Sequence, residues 1–174
     1  MSNFPFVDDD ALRANLDTAI QHTTELVAIA DNYDKILSSS FRKTVIINTA
    51  SIIEALLQWK LKKKVETKEV ELSDEWKFYD IKILHKINAS EEVVGAKRKK
   101  ERKQVSKLDF VRIIDLCVKH KIVTEHFSKD LHKVRELRNR LHLGGLEEVE
   151  KEYTKRDLNF VFGVAERVIG VVSN

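Results

Sequence analysis

Apolar residues along the chain recur mostly at three- and four-residue steps, the period of an amphipathic helix. Leu12, Leu16, Ala19, Thr23, Val27 and Ala30 form one such row and predict a helix over about 10–37. Asp8, Asp9 and Asp10 stand at its start, where carboxylates cap free N–H groups and suit the positive end of the helix dipole. Ser38-Ser39-Ser40 interrupts the row and reads as the cap of a second helix over about 41–64. That helix carries two adjacent rows: Val45, Thr49, Ile52, Leu56 and Trp59, then Ile46, Ala50, Ile53, Leu57 and Leu61. So wide an apolar face makes it the most buried helix. Lys60, Lys62, Lys63 and Lys64 end it, as the dipole favours. A third helix over about 108–120 turns Phe110, Ile113, Ile114 and Cys117 inward. A fourth starts near Thr124 with the stripe Phe127, Leu131, Val134, Leu137 and Leu141. Gly144-Gly145 closes it, glycine being suited to a left-handed cap. A fifth, over about 154–172, aligns Leu158, Val161, Ala165, Val168 and Val172.

The stretch from 65 to 107 breaks this rhythm. Lys77 to Leu84 partly alternates, Asn88-Ala89-Ser90 looks like a turn, and Val93-Val94-Gly95-Ala96 follows. This pattern predicts a β-hairpin. After it comes the most basic run of the chain, Lys97-Arg98-Lys99-Lys100-Glu101-Arg102-Lys103. The expectation is an all-α fold: an antiparallel bundle of about five helices forming one domain over 1–174, with a hairpin or arm inserted at about 65–107.

Composition narrows the class. The chain has 174 residues, enough for one domain with a real core. Its apolar share of 43% is too high for a disordered chain despite 34% charged residues. The net charge of +3 rules out a general polycation, so any attraction to nucleic acid must come from local clustering. The single cysteine, Cys117, allows no intrachain disulfide and sits in an apolar run as a small hydrophobe. Met1-Ser2-Asn3-Phe4-Pro5 lacks the basic-then-apolar order of a signal peptide. No apolar run nears the roughly 18 residues of a membrane span. A cytoplasmic protein without membrane contact is expected. The histidines, among them His120, His126 and His132, show no tight ligand spacing, so no metal and no cofactor is expected.

Candidate chemistry gathers on the fourth helix. Arg135, Arg138 and His142 are spaced i, i+3 and i+7, which puts them on one face beside the buried stripe. Histidine exchanges protons near neutral pH, and guanidinium holds phosphate and stabilises the charge that develops on it. RNA carries its own nucleophile, the 2′-hydroxyl, so this set suits phosphodiester cleavage without a metal. Asn139 can orient a neighbour or bond to substrate. The same residues also fit a solvated flank, with His142 simply a cation near a helix C-terminus.

The segment Leu131-His132-Lys133-Val134-Arg135-Glu136-Leu137-Arg138-Asn139-Arg140-Leu141-His142-Leu143 resembles the signature helix of HEPN domains. The family pattern is an arginine, four to six intervening residues and then a histidine, and the residue after the arginine is commonly polar, often asparagine. Ser51-Ile52-Ile53-Glu54-Ala55-Leu56-Leu57 is similar to the family's second core helix, and Tyr153 to Asn159 to the start of its closing helix. The likeness covers most of the chain but not 65–107. Arg138-Asn139 matches the arginine–asparagine pair but stands only three residues before His142. Arg135 meets the spacing but is followed by Glu136. The catalytic arginine is therefore Arg135, Arg138 or both.

The resemblance implies a metal-independent endoribonuclease, with His142 in proton transfer, an arginine on the phosphate and Glu54 as a supporting group. It also implies a homodimer with a shared cleft, and a setting in toxin–antitoxin or antiviral systems with an antitoxin or nucleotidyltransferase-like partner protein. Arg140, Lys97, Arg98, Lys99, Lys100, Arg102 and Lys103 are candidate contacts to RNA, because clustered cations gain from counterion release. Trp76 and Tyr79 are candidates to stack bases. The irregular arginine spacing leaves two alternatives: a non-catalytic module binding RNA or a protein, and a helical dimerisation domain.

Overall fold

The structure is a computed structural model that describes residues 2–30, 32–102, 104–140 and 152–173. Its elements are α1 (Asp10–Ala30), α2 (Lys35–Glu66), β1 (Asp74–Lys86), β2 (Glu92–Arg102), a 3-10 turn (Val105–Lys107), α3 (Phe110–Lys119), α4 (Glu125–Asn139) and α5 (Lys155–Val172). The long α2 is the axis, and α1, α3, α4 and α5 all pack on it. Both of its apolar rows are used. Val45, Ile46, Ala50, Ile53, Leu56, Leu57 and Leu61 are wholly buried, and they meet Ile113, Ile114 and Cys117 of α3, Leu131 and Val134 of α4, and Val161 and Val168 of α5 in one core.

The first helix boundary lies elsewhere than the serines suggested. α2 begins at Lys35, capped by Asp34, whose carboxylate accepts from the Ile36 and Leu37 N–H groups. Ser38, Ser39 and Ser40 are inside the helix. Serine is tolerated there because it bonds locally. The Ser38 hydroxyl donates to the Ala30 and Tyr33 carbonyls, tying α2 to the end of α1. Ser39 accepts from the Tyr153 N–H ahead of α5. At the other N-termini, Asp9, Asp109 and Thr124 accept from the N–H groups of Leu12, Arg112 and Phe127. Thr154 and Asp157 form a reciprocal capping box at α5. Cys117 is buried, and burial pushes its thiol up to about 12, so almost no thiolate exists at neutral pH.

The all-α expectation is overturned. The described structure is 63% helical and 15% strand, a mixed α/β fold in which a two-stranded antiparallel sheet accompanies the bundle. The strands are longer than the apolar positions indicated, because the basic run 97–102 belongs to β2 itself. Cross-strand partners run from Asp74↔Arg102 to Lys86↔Glu92, with irregularities between Tyr79 and Lys82 and between Ile83 and His85. Asp80, at the first of these, takes a positive φ of 51°. The two strands pack almost wholly on each other, so the pair is an arm carried by the bundle. A lone hairpin is marginal in water. This one is tied at both ends: Val70 and Leu72 before it and Val105 after it are buried in the helical core, and Gln58 Nε2 donates to the Val105 carbonyl at 3.1 Å.

The residues ahead of α1 are also built in. Phe4 and Val7 are buried, and Phe6 packs on Trp59. Asp8 accepts from Trp59 Nε1 at 3.0 Å and pairs with Lys63 at 2.6 Å. The bonds from Lys63 and Trp59 hold its carboxyl below the ordinary 3.8. A depressed carboxyl pKa means that this tie contributes fully above the unfolded value and is lost only as pH falls through the folded one. A carboxyl NMR titration should therefore place the Asp8 midpoint below 3.8. A midpoint at or above it would show that the tie does not form in solution.

Candidate functional site

Val134 and Leu137 turn α4 into the core, and the helical period carries Arg135 and Arg138 to its flank, both half-buried. Leu131 and Val134 lock the helix against α2, and this sets what the flank meets. Arg138 Nη1 donates to Glu54 Oε2 at 2.5 Å, a pair joining α4 to α2 across 84 positions of sequence. Glu54 sits between the buried Ile53 and the half-buried Ala55. Among the described residues Glu54 is the only hydrogen-bond partner of the Arg138 side chain. A guanidinium has five N–H donors, so one edge can rest on the carboxylate while others stay available. Side-chain exposures of 32% for Arg138 and 22% for Glu54 mean that water screens the pair only partly.

Glu54, Arg135, Arg138 and Asn139 line one open cleft of about 440 Å³ with Asp109, Phe110 and Val111. That space accommodates a phosphate with its sugar. The Nε of Arg135 is buried and has no hydrogen-bond partner among the described residues. An unmet buried donor costs roughly 1–3 kcal/mol, so it is a place where an arriving acceptor is favoured. The cleft thus holds two guanidinium groups and one carboxamide against the carboxylates of Glu54 and Asp109. Asp109 is engaged in capping α3.

The contribution of α3 was not foreseen. Phe110 carried only a core signal in the sequence. Nothing local in sequence says that the α3 start lies beside the α4 flank. His142, with Leu141 and Gly144-Gly145, lies outside the described residues, as does Lys103.

The remaining candidates are elsewhere. Arg140 is the residue after α4 and does not line the cleft. Burial tends to raise the Asp157 carboxyl, yet the bonds from Thr154, together with the charges of Arg140 and Lys133, leave it lowered. Lys97, Arg98, Lys99 and Lys100 lie on β2 of the arm, and Arg102 ends that strand. Trp59 is a packing residue bonded to Asp8. Among the described residues no group of three His, Cys, Asp or Glu side chains is placed to hold a metal ion, and no helix is long and apolar enough to cross a membrane.

No family model, curated protein or solved structure matches the chain.

Proposed function

We propose that this protein is an RNA endonuclease that works without a metal ion, with its site on the exposed flank of α4. The observation that supports it is the Arg138–Glu54 pair, which holds a guanidinium at the mouth of a cleft that Arg135 and Asn139 also line. In this reading Arg138 is anchored on one edge and meets the scissile phosphate with another. Arg135 supplies the second cation, and Asn139 supplies an amide for substrate or for a neighbour. His142, four residues beyond Arg138 in sequence, serves in proton transfer. The RNA 2′-hydroxyl loses its proton to a base and attacks phosphorus. A 2′-O–P bond forms, the P–O5′ bond breaks, and the departing 5′-oxygen takes a proton. The products are a 2′,3′-cyclic phosphate and a 5′-hydroxyl. Two cations, of which Glu54 holds Arg138, act on the charge that builds on the non-bridging oxygens, where preorganised donors have their largest effect.

The same reading expects a second copy of the chain as partner, so that two α4 flanks share one cleft. It also expects a cytoplasmic role in toxin–antitoxin or antiviral defence, alongside an antitoxin or nucleotidyltransferase-like protein. One observation favours a second reading. Glu54 already neutralises part of the Arg138 charge, which suits a non-catalytic module that binds RNA or a protein.

Incubation of the purified chain with RNA in excess chelator separates the two. Cleavage should persist, give 2′,3′-cyclic phosphate ends, and stop at positions where the 2′-hydroxyl is replaced by hydrogen. Salt-sensitive binding with no product would assign the non-catalytic reading. Cleavage that survives 2′-deoxy substitution would overturn the mechanism.

A further inference from the structure

The two faces of the β1–β2 arm differ in how their charges are met. Side chains alternate along a strand, and directly paired residues share a face. The register Tyr79↔Lys97, Lys77↔Lys99 and Glu75↔Glu101 defines one face. Two of its three cations are paired with acids, Lys77 with Glu101 at 3.0 Å and Lys97 with Asp80 at 2.9 Å, and the Tyr79 hydroxyl donates to Glu101. The bonds from Tyr79 and Lys77 hold the Glu101 carboxyl low, so it stays a counter-charge.

The opposite face is defined by Trp76↔Lys100 and Phe78↔Arg98. Here the cations meet rings instead of carboxylates. Arg98 lies 4.5 Å and Lys100 5.5 Å from the Trp76 ring centre. Acids on this face stand only at its ends, Asp74 at the foot and Glu92 near the tip. Trp76 and Phe78 are nevertheless 48% and 61% exposed, although a ring gains most of its stabilisation by burial.

We infer that the face bearing Trp76, Phe78, Arg98 and Lys100 binds single-stranded nucleic acid, with bases stacking on the two rings and phosphates held by the two cations. Flat rings two residues apart on one face of the ribbon, flanked by cations with no acidic partner among the described residues, form the combination that single strands use. A duplex hides its base faces and meets only the charges. The choice of RNA rests on the ribonuclease reading of α4, whereas the stacking and charge argument uses the arm alone. An anionic bilayer is the competing occupant, because Ile81, Ile83, Leu84 and Ile87 are exposed nearer the arm's tip.

The test titrates the full chain into labelled oligouridine, the same strand annealed to its complement, and phosphatidylserine vesicles, all in chelator. The single strand should bind more tightly than the duplex and quench Trp76 emission. That quench should vanish in Trp76→Phe while binding remains. Trp76→Ala with Phe78→Ala should weaken single-strand binding by about 5- to 150-fold for each stacked base lost. Arg98→Ala with Lys100→Ala should flatten the salt dependence by about 0.7 per cation in the logarithmic slope. Loss of Lys97 and Lys99 should weaken binding less than loss of Arg98 and Lys100. Circular dichroism checks that each variant keeps its fold.

Unchanged binding in the ring variants overturns the inference, as does duplex binding equal to single-strand binding. So does vesicle binding that fails in these variants while RNA binding does not. The Arg138→Ala chain separates the two sites. If no chain cleaves but the arm variants lose binding, the ribonuclease reading fails and the arm assignment stands.

Discussion

In a cleavage assay with chelator present, Arg138→Ala is expected to lower the rate by about 10²- to 10³-fold, the usual loss when one preorganised donor to a developing oxyanion is removed. His142→Ala should cost about 10²- to 10⁴-fold through loss of proton transfer. Arg138 is favoured over Arg135 as the main phosphate contact because Glu54 fixes it at 2.5 Å, and a fixed donor needs little reorganisation as charge builds. Arg138→Lys should not restore the rate. An ammonium keeps the charge but cannot rest one edge on Glu54 while presenting another to phosphate. Glu54→Gln keeps the shape and frees Arg138 to move, so its loss should be smaller. Removing either partner also destabilises the fold, by an amount between the roughly 0–1 kcal/mol of an exposed pair and the roughly 3–5 kcal/mol of a buried one. Each variant must therefore be shown folded by its melting curve. A large loss in Arg135→Ala with near-normal rate in Arg138→Ala would move the phosphate contact to Arg135. Equal rates in Arg138→Ala, Arg135→Ala, His142→Ala and the parent would remove the ribonuclease proposal.

The bundle was legible where burial imposes a period. The two rows of α2 are the centre of the core because a helix apolar over so wide an arc can be covered only by several neighbours. Local chemistry was less readable. Three serines in a row suggest a break, but Ser38 satisfies itself on the Ala30 and Tyr33 carbonyls, and the stronger cap is Asp34. The arm's strands were read too short because much of the second is built of Lys and Arg. Those residues look like solvated coil until the partner strand supplies Asp80 against Lys97, and Lys77 and Tyr79 against Glu101. That oversight is also why an all-α class was expected. At the site, the helical period alone places Arg135 and Arg138 together. It cannot show that Glu54 meets Arg138, since that depends on how α4 rotates and slides against α2. The α3 residues in the cleft were hidden for the same reason: proximity between helices is a tertiary fact that no single-helix pattern encodes.

Ile53→Ala is expected to destabilise the protein by about 2–5 kcal/mol, which for a chain of this size lowers the melting temperature by roughly 4–20 °C. Ile53 is wholly buried on α2, in the row packed by the other helices, and removing its branched end leaves a cavity that rigid helix backbones fill poorly. Ile83→Ala, on the arm, should change stability by less than about 0.5 kcal/mol, because Ile83 is already 54% exposed and deletes little buried surface. The contrast bears on the site. Ile53 precedes Glu54, and the Arg138–Glu54 contact exists only while the core holds α2 and α4 in register. Ile53→Ala should therefore reduce cleavage at temperatures well below its own melting point, whereas Ile83→Ala should not. Chemical denaturation of both variants, followed by helical circular dichroism, measures the difference. Similar losses in the two would mean that the arm shares the bundle's core in solution, contrary to a structure in which its strands pack almost wholly on each other.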